Sequence, residues 1–147
     1  MRIIFLASIL LVSLVAAQQT QAPAAGTYTL TIQVQGVDQD GGNIGVLVFN
    51  NDKGWAEDRT AALKDIVVPA HPGTVTVVVP GLAAGTYAVS IAHDVNQNHK
   101  LDKNFIGKPK EQWGLSNNPH ATLKAPPFKN CTFSLTGNME IFIKMQK

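Results

Sequence analysis

From Thr27 to Gln35 apolar and polar side chains alternate without a break, with Tyr28, Leu30, Ile32 and Val34 on one side and Thr27, Thr29, Thr31, Gln33 and Gln35 on the other. A period of two marks a strand with one buried face. Ile44 to Phe49 is a second apolar strand, and Asp40-Gly41-Gly42-Asn43 between the two is turn chemistry, so the pair is predicted to form a hairpin. Asn51 or Asp52 can cap a short helix over Trp55 to Leu63, with Glu57 and Asp58 in early turns where the helix dipole favours acidic groups. Ile66 to Pro69 reads as a short strand, and Pro69, Pro72 and Gly73 turn the chain into Thr74 to Val79, where Val75, Val77 and Val79 share a face. After a turn beginning at Pro80-Gly81, Tyr87, Val89, Ile91 and His93 point one way along a further strand, and Ala88, Ser90, Ala92 and Asp94 the other. Asn130 to Leu135 and Met139 to Met145 predict a closing hairpin across Thr136-Gly137-Asn138.

About seven short strands, one short helix and many Gly or Pro turns predict an all-β antiparallel sandwich of immunoglobulin size. The domain is expected over residues 27–147. Before it, Met1 to Ala17 has the pattern of a secretory signal peptide: Arg2, an apolar run from Ile3 to Val15, then small residues before Gln18. Residues 18–26 are rich in Gln, Ala and Pro, and read as a flexible leader. The apolar run is too short for a committed membrane span. The expected location is therefore extracytoplasmic.

Charge narrows the partners. With Arg2 removed, eleven basic side chains stand against ten acidic ones, a near neutrality that leaves no bulk electrostatic case for nucleic acid or an anionic membrane. The single cysteine, Cys131, excludes an intrachain disulfide and reads as a small buried hydrophobe within a strand pattern.

One stretch has neither period. His93 to Asn118 is longer than an ordinary connection, and loops of that length inside a domain are usually functional or disordered. Phe105, Ile106, Trp113 and Leu115 are apolar anchors, which favours an ordered loop. Counting from Asp94, side-chain oxygens fall at positions 1, 3, 5 and 9 through Asp94, Asn96, Asn98 and Asp102. Calcium loops use those positions, because a tight turn gathers alternate side chains around a cation that needs six to eight oxygens. His99 replaces the usual Gly at position 6 and Phe105 the usual Glu at position 12, so any calcium site should be weak. Equally, the same side chains can bond their own backbone as Asx turns. The four histidines show no ligand spacing for zinc or copper, and Ser116 lacks a nucleophile-elbow frame.

The motif His93-Asp94-x-Asn96-x-Asn98-x-x-Leu101-Asp102-x-Asn104-x-x-Gly107-x-Pro109-x-Glu111, followed by Trp113-Gly114-Leu115-Ser116-Asn117, resembles a bacterial family of unknown function, DUF2141. Gly85-Thr86-Tyr87 is similar to that family's strand entry. The resemblance implies a secreted, periplasmic β-sandwich of prealbumin-like kind, and no established activity, so no catalytic residue is carried over.

The expected function is a non-enzymatic binding module. Asp94, Asn96, Asn98 and Asp102 would order the loop, with or without calcium, and His93, Glu111, Trp113, Ser116 and Asn117 would line its exposed side for a small ligand, a glycan or an envelope protein. Two other readings stay open: a hydrolase using His93 with Asp94 or Glu111, and a structural cell-envelope domain that pairs through a strand edge.

Overall fold

The computed structural model describes residues 26–147 apart from Thr122; the expected signal peptide, and the leader up to residue 25, lie outside the described residues. Eight strands follow one another: β1 (Thr27–Val37), β2 (Asn43–Phe49), β3 (Lys64–Pro69), β4 (Gly73–Ala83), β5 (Gly85–Asp94), β6 (Trp113–Leu115), β7 (Phe133–Leu135) and β8 (Met139–Lys144). They form an all-β sandwich. One sheet has the order β4-β1-β8, and the other β3-β2-β5-β6, with β7 also paired to β5. Between the sheets lies the core that alternation predicts: Leu30, Ile32 and Val34 from β1, Ile44, Val46 and Val48 from β2, Val75, Val77 and Val79 from β4, and Tyr87, Val89 and Ile91 from β5. Each fully buried aliphatic side chain of this kind stabilises the fold by about 1.5–3 kcal/mol through the water it leaves.

The predicted β1–β2 hairpin is not formed. β1 pairs antiparallel with β4 and parallel with β8, so the sandwich is not wholly antiparallel, while β2 pairs with β3 and β5. The Asp40–Asn43 turn instead crosses from one sheet to the other, which lets both strands bury their apolar faces against each other across the core. Gly42 (φ 69) makes that crossing possible, because a Cβ there would strike the Asp94 carbonyl and lie 2.6 Å from Val95 Cα.

The closing hairpin is also replaced by a crossover. β7 pairs with the start of β5 and β8 with β1, and Asn138 accepts the Thr29 N–H at 2.9 Å where the chain changes sheets. β4 runs on through Pro80 to Ala83, where a turn is predicted, because Leu82 is drawn into the core opposite Tyr28.

No helix forms over Trp55 to Leu63; the segment is a series of turns, and the only helical element among the described residues is a 3-10 turn at Phe128–Asn130. Tertiary contacts override the helical pattern. Trp55 packs edge-on against Phe49 (centroids 5.3 Å) and Phe128 (5.5 Å), and its indole N–H donates to the Pro126 carbonyl at 2.8 Å. The backbone follows, with Ala56 driven to φ 73, a value no helix interior accepts.

These contacts cover the second face of β5, which is buried on both sides. Ala88 joins Trp113, Leu115 and Cys131 in a smaller cluster outside the sandwich, with Trp55, Leu101, Ala125 and Phe128 against it. No helix among the described residues is long and apolar enough to cross a membrane.

Candidate functional site

The excursion between Asp94 and Gln112 is tied at both ends. Gln112 carbonyl accepts the His93 N–H at 2.9 Å, while its side chain accepts the Asp38 N–H (3.0 Å) and donates to the Gly36 carbonyl (2.9 Å), fixing the base of the loop to the end of β1. Glu111 is buried, and its two oxygens accept the Val95 N–H at 2.9 Å and the Asp102 N–H at 3.0 Å. Further out, Lys110 N–H donates to the Asp102 carbonyl at 2.7 Å, and a bridge joins Lys103 to Pro109.

Within this frame the four Asp and Asn residues converge. Asp94 accepts the N–H groups of Asn98 (3.0 Å) and His99 (2.8 Å), Asn96 Oδ1 that of Asn98 (3.2 Å), and Asn98 Oδ1 that of Lys100 (2.9 Å). The amide nitrogens of Asn96 and Asn98 each donate to one oxygen of Asp102, at 2.8 and 2.9 Å. His99 has φ 63, so the chain makes the sharp turn that calcium loops make at this position without the glycine they use there. The arrangement satisfies itself as Asx turns do. Among the described residues no group of three or more His, Cys, Asp or Glu side chains is placed to hold a metal, and only two carboxylates enter this loop cluster.

Four of the five residues expected on the exposed side are buried instead. His93 has no exposure and its Nε2–H donates to the Gly41 carbonyl at 2.8 Å, leaving Nδ1 without a hydrogen-bond partner. Ser116 Oγ accepts the Val89 N–H at 2.9 Å and donates to the Cys131 carbonyl at 2.5 Å. Glu111 is occupied as described, and Trp113 is 5 % exposed. Asn117 is exposed, but its amide donates to the Thr132 carbonyl at 2.8 Å. The physical reason is common to the polar ones: enclosed polar atoms must find partners, and here backbone groups supply them. Asn118, at the end of the same stretch, is used in the same manner along β8, donating to the Phe142 carbonyl (2.9 Å) and accepting the Lys144 N–H (2.7 Å).

Nor does the structure pair His93 with Asp94. Adjacent residues on a strand face opposite sides, so the imidazole points toward Gly41 while the carboxylate turns into the loop. Glu111 is equally committed to backbone N–H groups. No acid–base pair is formed among the three.

A concavity of about 340 Å³ lies on the outer face of the second sheet, and the motif residues Asp94, Leu101, Asp102, Pro109, Trp113 and Leu115 are part of its lining. Its floor is Gly45 and Leu47 of β2, Ser90 and Ala92 of β5, and Trp113 and Leu115 of β6. Loop residues His99 to Lys103 with Pro109 form one wall, Ala56, Glu57 and Arg59 a second, and Leu123 to Ala125 a third. Ser90 pins the second wall by donating to the Ala56 carbonyl at 2.7 Å. The signal was present in the small side chains Gly45, Ser90 and Ala92 on the outward face of central strands, which leave room above the sheet.

The walls are held by charge. Arg59 grips Asp65 through Nε (2.8 Å) and Nη2 (2.6 Å), and its Nη1 lies over Gly45, 3.7 Å from where a Cβ would stand. Lys103 joins Glu57 at 2.5 Å and so ties the loop to the opposite wall. Lys100 and Lys124, also in the lining, form no salt bridge among the described residues. Beside Arg59, hydrogen bonds from the Thr60 hydroxyl and N–H hold the exposed Asp58 carboxyl below its ordinary range. Burial pushes the Cys131 thiol up, so it stays protonated as an apolar packing group.

No curated protein and no solved structure matches the chain. The bacterial family described as "Uncharacterized protein conserved in bacteria (DUF2141)" matches residues 32–142, a span that starts inside β1, ends inside β8 and takes in the entire loop and cavity, and the chain belongs to that family.

Proposed function

We propose that this protein is an extracytoplasmic binding module that takes a small amphipathic ligand in the cavity over its second sheet. The observation that carries the reading is the concavity itself, whose 340 Å³ falls within the range of about 300–1,000 Å³ used for small-molecule recognition. Leu47, Leu101, Trp113 and Leu115 offer an apolar bed, and Arg59, Lys100 and Lys124 offer donors at its margin. A sheet floor and a hydrogen-bonded loop wall keep that shape before any ligand arrives, which reduces the ordering cost of binding. The Asp94, Asn96, Asn98 and Asp102 frame holds His99 to Lys103 in the wall, and Asp94 and Asp102 also line the cavity themselves.

The test is a thermal-shift and tryptophan fluorescence survey of small sugars and carboxylic acids against the wild type and an Ala92→Phe variant, in which the added ring occupies the floor. A compound that stabilises the wild type and not the variant supports the reading. If every compound acts equally on both, the cavity is not the site. Export is tested separately, by cell fractionation and N-terminal sequencing, with cleavage after Ala17 as the expected result.

A second reading adds calcium to the loop frame, on the ground that the four side chains are gathered into one hydrogen-bonded cluster, with the amide nitrogens of Asn96 and Asn98 facing Asp102. Asp94 and Asp102 would hold the ion with the amide oxygens of Asn96 and Asn98. Those oxygens now accept backbone N–H groups, so the ion would have to compete with bonds already made.

A further inference from the structure

We propose that the turn bearing Phe105 and Ile106 docks the protein onto an anionic lipid surface. Phe105 is 99 % exposed and Ile106 60 %, and they stand side by side at the far end of the loop. Their exposure is not that of a slack segment. Gly107 N–H donates to the Asn104 carbonyl at 3.0 Å, Asn104 N–H to the Lys108 carbonyl at 2.8 Å, and Asn104 Oδ1 accepts the N–H groups of both Ile106 and Lys108 at 3.0 Å. A turn secured by four hydrogen bonds thus presents two large apolar side chains to water. Neither contributes to either hydrophobic cluster.

The charges around the tip indicate what covers it. From Lys103 to Lys110 there are three lysines and no acidic residue. Glu57 neutralises Lys103, whereas Lys108 and Lys110 are exposed and form no salt bridge among the described residues. An apolar point with a cationic collar matches the boundary of a bilayer, where aromatic and aliphatic groups enter the region below the headgroups and lysines remain among anionic phosphates. A protein partner would need a pocket for the phenyl ring but no negative field around it. The near-neutral whole chain supplies no such attraction; the local arrangement does. Two side chains reach only the interface, so the attachment is peripheral and reversible.

The experiment is flotation of the purified protein with vesicles of phosphatidylcholine alone and of phosphatidylcholine mixed with phosphatidylglycerol, at low and at physiological salt. Binding is expected to the mixed vesicles, weaker at higher salt. The double variants Phe105→Ser with Ile106→Ser, and Lys108→Glu with Lys110→Glu, should each weaken it at least about tenfold. Both should keep the wild-type melting temperature, because the replaced side chains are exposed. The proposal is overturned if the wild type ignores mixed vesicles, or if the Phe105 and Ile106 variant floats as well as the wild type. It is also overturned if sedimentation velocity shows a dimer that this variant abolishes while vesicles are ignored, which would assign the tip to a second copy of the chain.

Discussion

Glu111 accepts the Val95 N–H at 2.9 Å, so a carboxylate at the end of the loop closes its beginning, and the second oxygen reaches the Asp102 N–H at its middle. Three points of one excursion therefore meet on one buried side chain. Glu111→Leu leaves two N–H groups without acceptors in a part-buried position, and should destabilise the protein by about 2–4 kcal/mol. Urea unfolding measures that, and trypsin should cut faster after Lys100 and Lys103.

Asp94 and Asp102 should not be equivalent. Asp94 is buried and accepts two backbone N–H groups, while Asp102 is half-exposed and accepts two side-chain amides. Asp94→Ala is expected to cost about 2 kcal/mol and Asp102→Ala about 1 kcal/mol or less. Amide hydrogen exchange at Asn98 and His99 should accelerate in the first variant far more than in the second. Equal effects would mean that the loop is held from elsewhere.

Gly114 sits where β6 meets β8. A Cβ there would lie 2.8 Å from Ile143 Cγ2 and 3.0 Å from the Lys144 carbonyl. Gly114→Ala should destabilise by about 1–3 kcal/mol, since the backbone oxygen cannot yield as a flexible side chain would. Thermal unfolding checks this, and Gly137→Ala, which meets nothing within 4 Å, is the control.

Calcium makes its own prediction. If the ion enters the loop frame, the melting temperature should rise only at about millimolar concentration, as a site with two carboxylates and weak extracellular affinity requires. A flat melting temperature and unchanged tryptophan fluorescence through that range would remove the ion and leave the Asx frame.

The raised Cys131 thiol contributes to the alkaline behaviour. The folded chain keeps a proton that the unfolded chain releases, so this contribution is complete below the unfolded thiol pKa, close to 9.0, and declines as pH rises above it toward the folded value. Urea midpoints should fall with pH from about 8.5 upward, and less steeply in Cys131→Ala. Iodoacetamide should label the thiol only after unfolding.

Much of this molecule was legible in its sequence because burial has a period. Leu30, Ile32 and Val34, Val75, Val77 and Val79, and Tyr87, Val89 and Ile91 are inward as their alternation requires, and the loop beginning at Asp94 is ordered by the side chains that marked it. Strand pairing was less legible. The Asp40–Asn43 and Thr136–Asn138 turns look the same whether they return a chain beside itself or carry it across a sandwich, and only the core decides between these. Trp55 shows a third limit, since a helical pattern lost to aromatic packing with nearby Phe49 and with Phe128, which is far along the chain. In the site, Glu111 and Ser116 carried the right chemistry for binding and were used for internal bonding, whereas Gly45, Ser90 and Ala92 shaped a cavity by being small.

Asn118 also closes part of a strand edge. Its amide matches, with one donor and one acceptor, the two backbone groups that Phe142 and Lys144 turn away from β1. A stretch of sheet margin that could otherwise template a stranger's strand is thereby occupied by a single side chain, and aggregation by edge-to-edge growth has no foothold there.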